Sequence, residues 1–213
     1  MTFLPDASTM LTYSLACFIL FITPGPDMSL FLARTMQGGR KAGIASMVGS
    51  CTGCLGHSLA AAFGLSALIA ASATAFGALK ILGALYLLWM AYSAIRYGST
   101  LNLKNAEAAP PALAATFWQG VGINLTNPKV VLFFITFLPQ FIRADDPDAS
   151  AKLFFLGVYM VAFTFPFAIL MILIAERFVG FLKSNPRAMR VIDYAFAGVF
   201  GFFAAQVLRT QTR

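Results

Sequence analysis

The sequence is poor in charge and in the residues that build metal and redox centres. Asp, Glu, Lys and Arg make up 11% of its 213 residues, against about 25% in an ordinary soluble domain. So few polar side chains cannot cover a water-facing surface, which excludes a soluble globular fold. Disorder is excluded as well, because it needs low hydrophobicity and high charge. There is one histidine, His57, and three cysteines, Cys17, Cys51 and Cys54. That is too little for a zinc site, and an odd number of thiols gives no disulfide framework. Cys51 and Cys54 form a CxxC, but a thioredoxin-like motif needs a βαβ setting. This pair lies in a long uncharged stretch and reads as two small packing residues. HExxH and GxSxG are both missing, which makes a membrane-embedded enzyme the weakest alternative. Residues 1–22 contain no Lys or Arg, so the positive region of a secretory signal is lacking. Their apolar run ends at Thr23-Pro24-Gly25-Pro26 instead of a small-residue cleavage site, and it reads as a retained membrane segment.

What the chain does have is apolar length. Hydrophobic types reach 59% and the mean hydropathy is +0.79. The expected fold is an all-α polytopic membrane protein forming a single domain over 1–213. A crossing helix needs about 20 mostly apolar residues. The pattern predicts six: 8–33, 42–71, 76–97, 115–142, 153–175 and 191–208, with a turn near Ser72-Ala73-Thr74. The polar, proline-containing stretch 99–113 is the one obvious linker. It separates a first repeat, about 1–98, from a second, about 114–213. A β-barrel is excluded by the lack of alternating ten-residue strands.

The net charge of +7 and the sequence pI near 9.6 come from basic residues scattered between apolar runs. Lys and Arg in such loops set membrane topology, and no nucleic-acid partner is expected. Arg34, Arg40 and Lys41, then Arg96 and Lys104, then Arg177, Lys183, Arg187 and Arg190 fall in the odd-numbered loops. The tails and even loops hold fewer. This bias places the odd loops in the cytoplasm and both termini outside.

Each half opens with a helix that proline interrupts, at Thr23-Pro24-Gly25-Pro26-Asp27 and at Thr126-Asn127-Pro128-Lys129. Three helices are an odd number, so the halves are expected as inverted repeats. Interrupted helices at matching positions point to a transporter's midplane site. Proline removes a backbone donor and clashes with the preceding turn, at about 3 kcal/mol in a helix interior. The opened backbone is tolerated in a membrane only inside protein or beside a wet cavity. The half-helices starting near Pro26 and near Lys129 would each aim a positive end into the bundle, where it can receive a carboxylate. Pro139 and Pro166 read as simple kinks.

Asp27 and Lys129 are the charges set deep in the predicted spans. An intramembrane charge usually faces the interior and marks a pathway. A zwitterionic amino acid needs an anion for its ammonium and a cation or helix end for its carboxylate, and this pair can supply both. Asp27 can also exchange a proton, which would make export a competition between proton and ammonium. The other reading is a structural ion pair locking the halves, and the two are compatible in different states. Asn124 and Asn127 lie three apart on one face, and either bind a substrate or satisfy backbone freed by Pro128. His57 reads as a packed histidine, Gln119 is assigned to neither role, and Asp193 and Glu176 read as interface charges near span ends. The 22 Phe residues read as lipid-facing and packing groups. Gly49, Gly53 and Gly56, with Ser46, Ser50 and Ala60, let helices approach closely, within the bundle or between the copies of a homodimer.

Taken together, the TPGPD motif, the small-residue second helix ending in Gly56-His57, the polar linker and the Asn127-Pro128-Lys129 motif with Pro139 downstream resemble the LysE/RhtB family of bacterial amino-acid exporters. The resemblance spans nearly the whole chain. It implies a bacterial inner-membrane secondary exporter with six helices, working by proton antiport and alternating access and needing no cofactor or metal. It carries the family's signature positions onto Thr23, Pro24, Gly25, Pro26, Asp27, Asn127, Pro128 and Lys129. The TPGPD wording is similar to the homoserine/threonine–leucine branch, which implies neutral substrates. A passive channel would show rings of like residues from symmetric subunits, and a cation carrier several carboxylates or thiolates. Export of another small solute is the remaining alternative.

Overall fold

In lipid every backbone polar group must be satisfied inside the chain, and helices do this segment by segment. The computed structural model describes residues 5–98, 112–142 and 146–211, and no strand occurs among them. The helices are α1 (Ala7–Ile22), α2 (Pro26–Ala60), α3 (Ser66–Ala71), α4 (Ala73–Tyr97), α5 (Leu113–Thr126), α6 (Pro128–Leu132), α7 (Ala149–Leu173), α8 (Ala175–Ser184) and α9 (Pro186–Gln211). A π-helical turn, Ala61–Leu65, joins α2 to α3. A π turn and a 3₁₀ turn, Phe133–Phe137 and Leu138–Phe141, prolong α6.

The capping chemistry explains several of these limits. Asp6 caps α1, accepting from the backbone of Ser8 and Thr9. Hydrogen bonds from the Ser8 and Thr9 hydroxyls, with the Thr9 backbone N–H, hold its carboxyl well below the usual carboxylate range. Ser72 caps α4 by accepting from Ala75 N, so the expected turn near 72–74 is present. Pro166 sits inside α7 without ending it.

Four stretches are long and apolar enough to cross a membrane: Pro26–Leu68, Thr74–Tyr97, Ala149–Leu173 and Pro186–Arg209. Leu113–Thr126 and Pro128–Phe141, bent by 50°, make a fifth if taken as one span. The expected count of six is not reached on these criteria. The expected first span joined α1 to residues 26–33 across the break. In the structure α1 has only 16 residues, and the segment after the break runs on into the second helix. Residues 34–41, expected as a loop, are helical apart from a corner at Gly38 (φ −123°, ψ 16°) and Gly39 (φ 69°, ψ −172°). The Gly39 backbone lies in a region essentially confined to glycine, which is how α2 turns without a loop. The expected linker 99–113 lies outside the described residues up to 111, and α5 starts at Leu113.

A further difference is α8. The basic loop expected after the fifth span is a short helix with Val179 and Leu182 buried and Glu176 and Arg177 exposed. Asp193, expected at an interface, is 1% exposed. It lies beside Gly98, whose backbone (φ 71°) ends α4. Arg190, one turn before Asp193, donates to Ile95 O at 2.8 Å. The packing of α9 on α4 draws this charge inside.

Aromatic rings fill one core. Tyr13, Phe133, Phe137 and Phe200 are all buried, and Phe203 meets Phe137 edge-on at 4.7 Å. The Tyr13 hydroxyl donates to Leu156 O at 3.0 Å, so a buried polar tip is satisfied. A second cluster of Met28, Phe31, Leu32, Met47, Met171 and Ile172 joins α2 to α7. Large apolar side chains such as Leu82, Trp118 and Phe202 face outward, an exposure that lipid accommodates and water does not.

Candidate functional site

The site begins with the contact of α2 on α5. Glycine is required at three places along it. A Cβ on Gly49 would come within 2.0 Å of Phe117 O, and one on Gly120 within 2.1 Å of Ser46 O. A Cβ on Gly53 would meet Asn124 Oδ1 at 2.7 Å. Ser50 Oγ donates across the same contact to Gly120 O at 3.2 Å. The small-residue stripe of α2 is therefore used within the chain, against the helix that carries Asn124.

Two proline breaks lie beside this contact. After α1 the chain passes through Thr23, Pro24 and Gly25, and α2 starts with Pro26 as its first residue. Thr23 N and Oγ1 both return to Ile19 O, at 3.1 and 2.7 Å. Gly25 caps α2 without a side-chain hydrogen bond, which leaves that positive end open. The second break is closed differently. Asn127 Oδ1 accepts from Lys129 N at 3.1 Å and caps α6.

Asp27 is half-buried and takes its partners from the other half of the chain. Asn124 Nδ2 donates to its Oδ1 at 3.2 Å, and Asn127 Nδ2 donates to its Oδ2. Asn124 and Asn127 are 2% and 1% exposed, so the two amides form a fixed cradle. Lys129 reaches in the opposite direction. Its Nζ donates to Leu20 O at 2.9 Å and to Thr23 O at 2.7 Å, the last carbonyls of α1. Cations are favoured at a helix C-terminus. No Asp27–Lys129 ion pair occurs among the described residues. Lys129 also passes close to Gly25, where a Cβ would stand 3.2 Å from Nζ.

All nine sequence-predicted positions line one of two cavities. Thr23, Pro24, Gly25, Pro26, Asn127 and Pro128 border a cavity of about 770 Å³, and Asp27 and Asn124 border a smaller one of about 90 Å³. Lys129 borders both. The start of α2 is the wall between them, with Asp27 and Phe31 on one side and Ser29 and Arg34 on the other. The smaller cavity is otherwise lined by groups such as Met28, Cys51, Cys54 and Met160. Asn124 Oδ1 is buried without a hydrogen-bond partner. Beside Asp27 this makes a second acceptor in a confined space, suited to a cation with several donors.

The residues named with less weight separate clearly. His57 stacks on Phe134 at 5.4 Å, and its Nε2 lies 3.4 Å from Asn124 O, a packed position behind the cradle. Gln119 and Arg34 line the larger cavity. Arg34, which the sequence places among the topology charges, was missed as a cavity residue. Its spacing from Asp27 gives no signal, because residues seven apart share one helix face while these two line different cavities. No cluster of three or more His, Cys, Asp or Glu able to hold a metal occurs among the described residues.

A family model described as LysE type translocator matches residues 18–211. The chain belongs to this family. It is a membrane transporter of the LysE type, and not an enzyme. Among its relatives, the homoserine/homoserine lactone efflux protein of Salmonella typhimurium is 28% identical over 188 residues, covering 88% of this chain and 90% of that protein. The leucine efflux protein of Klebsiella pneumoniae is 25% identical over 202 residues, covering 95% of each. An uncharacterized membrane protein of Bacillus subtilis, YrhP, is 34% identical over 145 residues, covering 64% of this chain and 69% of that protein. No solved structure matches the chain.

Proposed function

We propose that this LysE-type translocator exports neutral amino acids across the bacterial inner membrane in exchange for protons, by alternating access around the two proline breaks. The observation that carries the reading is the crossed arrangement at the breaks. Asp27 of the first half is held by Asn124 and Asn127 of the second, and Lys129 of the second half holds the end of α1. The contacts that join the halves are therefore the ones a bound zwitterion competes with. Its ammonium goes to Asp27 and the free Asn124 Oδ1, and its carboxylate to Lys129 or the uncapped start of α2. A proton on Asp27 removes the attraction for the ammonium, so one group serves both cargoes in turn.

In this reading the chain makes six crossings as two inverted three-helix repeats. The first crossing is α1 with α2 up to the Gly38–Gly39 corner, and the fourth is α5 with 128–141. Relatives named for efflux of homoserine, homoserine lactone and leucine support a neutral substrate. The test is efflux from cells preloaded with dipeptides, comparing the parent with Asp27→Asn at matched membrane abundance over a panel of amino acids. Uncoupler-sensitive export of a few neutral amino acids that vanishes in Asp27→Asn is the expected result. Export no faster than from empty-vector cells for every amino acid tested would overturn the proposal.

A further inference from the structure

The larger cavity has a polar end that the breaks do not supply. Arg34 stands about 10 Å along the helix axis from Asp27 at 1.5 Å per residue, on the cavity side of α2. Its Nε and Nη2 donate to Gln119 Oε1 at 3.0 and 2.5 Å, and Nη1 donates to Gln37 Oε1. The Nε–Nη2 edge of a guanidinium is the fork that meets a carboxylate at two points. Here one neutral amide oxygen occupies it. No carboxylate pairs with Arg34 among the described residues. Gln37 Nε2, beside it, is buried without a partner.

The surroundings have the same bias. The described lining of this cavity includes the cations Arg34 and Lys129 and no Asp or Glu. Tyr86 and Trp89 add aromatic surface to the same lining. At about 770 Å³ the space is ample for an amino acid. The Gln119 oxygen is a single neutral acceptor. A carboxylate brings full negative charge and two parallel hydrogen bonds to the guanidinium, so a carboxylate entering here displaces the Gln119 amide from the arginine fork.

We infer that Arg34, covered by Gln119 until a ligand arrives, is an entry docking point for the carboxylate of the exported amino acid in the larger cavity, ahead of its transfer to Lys129 on the same cavity wall. The cavity then takes solutes by their carboxylate and disfavours cationic ones. This deepens the export reading and rests on it. Arg34 is a substrate-recognition residue in the larger cavity, separate from the Asp27 cradle that borders the smaller one.

The test uses the purified full chain in proteoliposomes, with homoserine and leucine as carboxylate-bearing probes and homoserine lactone and leucinamide as their carboxylate-free counterparts. Arg34→Gln is expected to raise KM for homoserine and leucine about tenfold or more, the loss of a hydrogen bond to a charged group. KM for the lactone and the amide should stay unchanged. Arg34→Lys should recover part of the loss. Gln119→Glu, which puts a permanent carboxylate on the fork, should reproduce the selective defect. Comparing two probes within one variant cancels any loss of folded protein. Equal changes for acids and their counterparts, or no change, would overturn this inference while leaving export by the parent intact. Failure of the parent to move any of the four probes would overturn the export reading and this inference together.

Discussion

Asp27 and Lys129 each follow the proline that starts a half-helix, and each reaches across to the other half of the chain. Asp27 accepts from Asn124 and Asn127 at the end of α5, while Lys129 donates to Leu20 O and Thr23 O at the end of α1. The two charges form no ion pair with each other: Lys129 closes the end of α1, and Asp27 is held by two side-chain amides. Separating the halves at this level breaks four hydrogen bonds, every one of them to a charged group. Such bonds are worth about 1.5–3 kcal/mol each. A ligand with one charge of each sign can replace them, which is the physical basis for exchange at this position.

Lys129→Met should lower both thermal stability in detergent and efflux, because the α1 carbonyls lose their cation. Lys129→Arg, which keeps the charge on a bulkier head, should recover stability better than transport, since Gly25 leaves little room beside Nζ. A thermal melt and an efflux assay on the same preparations separate the two effects. Unchanged melting of Lys129→Met would count against the helix-end role.

Gly53→Ala should reduce efflux at normal membrane abundance. Its Cβ would press on Asn124 Oδ1 at 2.7 Å and push that amide away from Asp27. Gly64→Ala and Gly122→Ala meet nothing within 4 Å and should stay within about 0.5 kcal/mol of the parent. If all three variants export alike, close α2–α5 packing does not position the cradle.

Gly39→Ala should destabilise the protein by about 1–3 kcal/mol through its backbone alone, since no atom lies within 4 Å of the added Cβ. The readout is the melting temperature of the purified protein. A melt identical to the parent's would mean that the corner can relax.

His57→Phe should keep most of the efflux. The stack on Phe134 survives the change, and the 3.4 Å approach to Asn124 O is too long to matter much. Abolished export with normal abundance would instead make His57 part of the proton path.

The proline breaks were legible because their cause is local: a missing N–H and a clash with the previous turn need no knowledge of the rest of the fold. The small face of α2 was legible for the same reason, but its destination was not. Gly49 and Gly53 announce a close approach, and nothing in their spacing says that Phe117 and Asn124 are what approach. Arg34 and Asp193 were misplaced by a rule about loops, because a span-end charge looks the same whether it faces a headgroup, a cavity or a neighbouring helix. The corner at Gly38–Gly39 was read as a loop since three nearby basic residues look like a turn between spans. Helix α8 was missed because its ten residues are too few and too polar to register as a span.

Composition alone settles that this chain lives in a membrane, since too few polar residues exist to cover it with water. The order of residues then settles where its helices break and which two charges lie beside the breaks. Neither could say that Asp27 would face two asparagine amides and Lys129 two helix carbonyls in place of one another. An ion pair and a crossed pair of helix-end contacts use the same side chains. The choice depends on how α2 seats against α5 and how the two breaks align. That alignment is set by glycine contacts between segments far apart in the chain, and it exists only once they have packed.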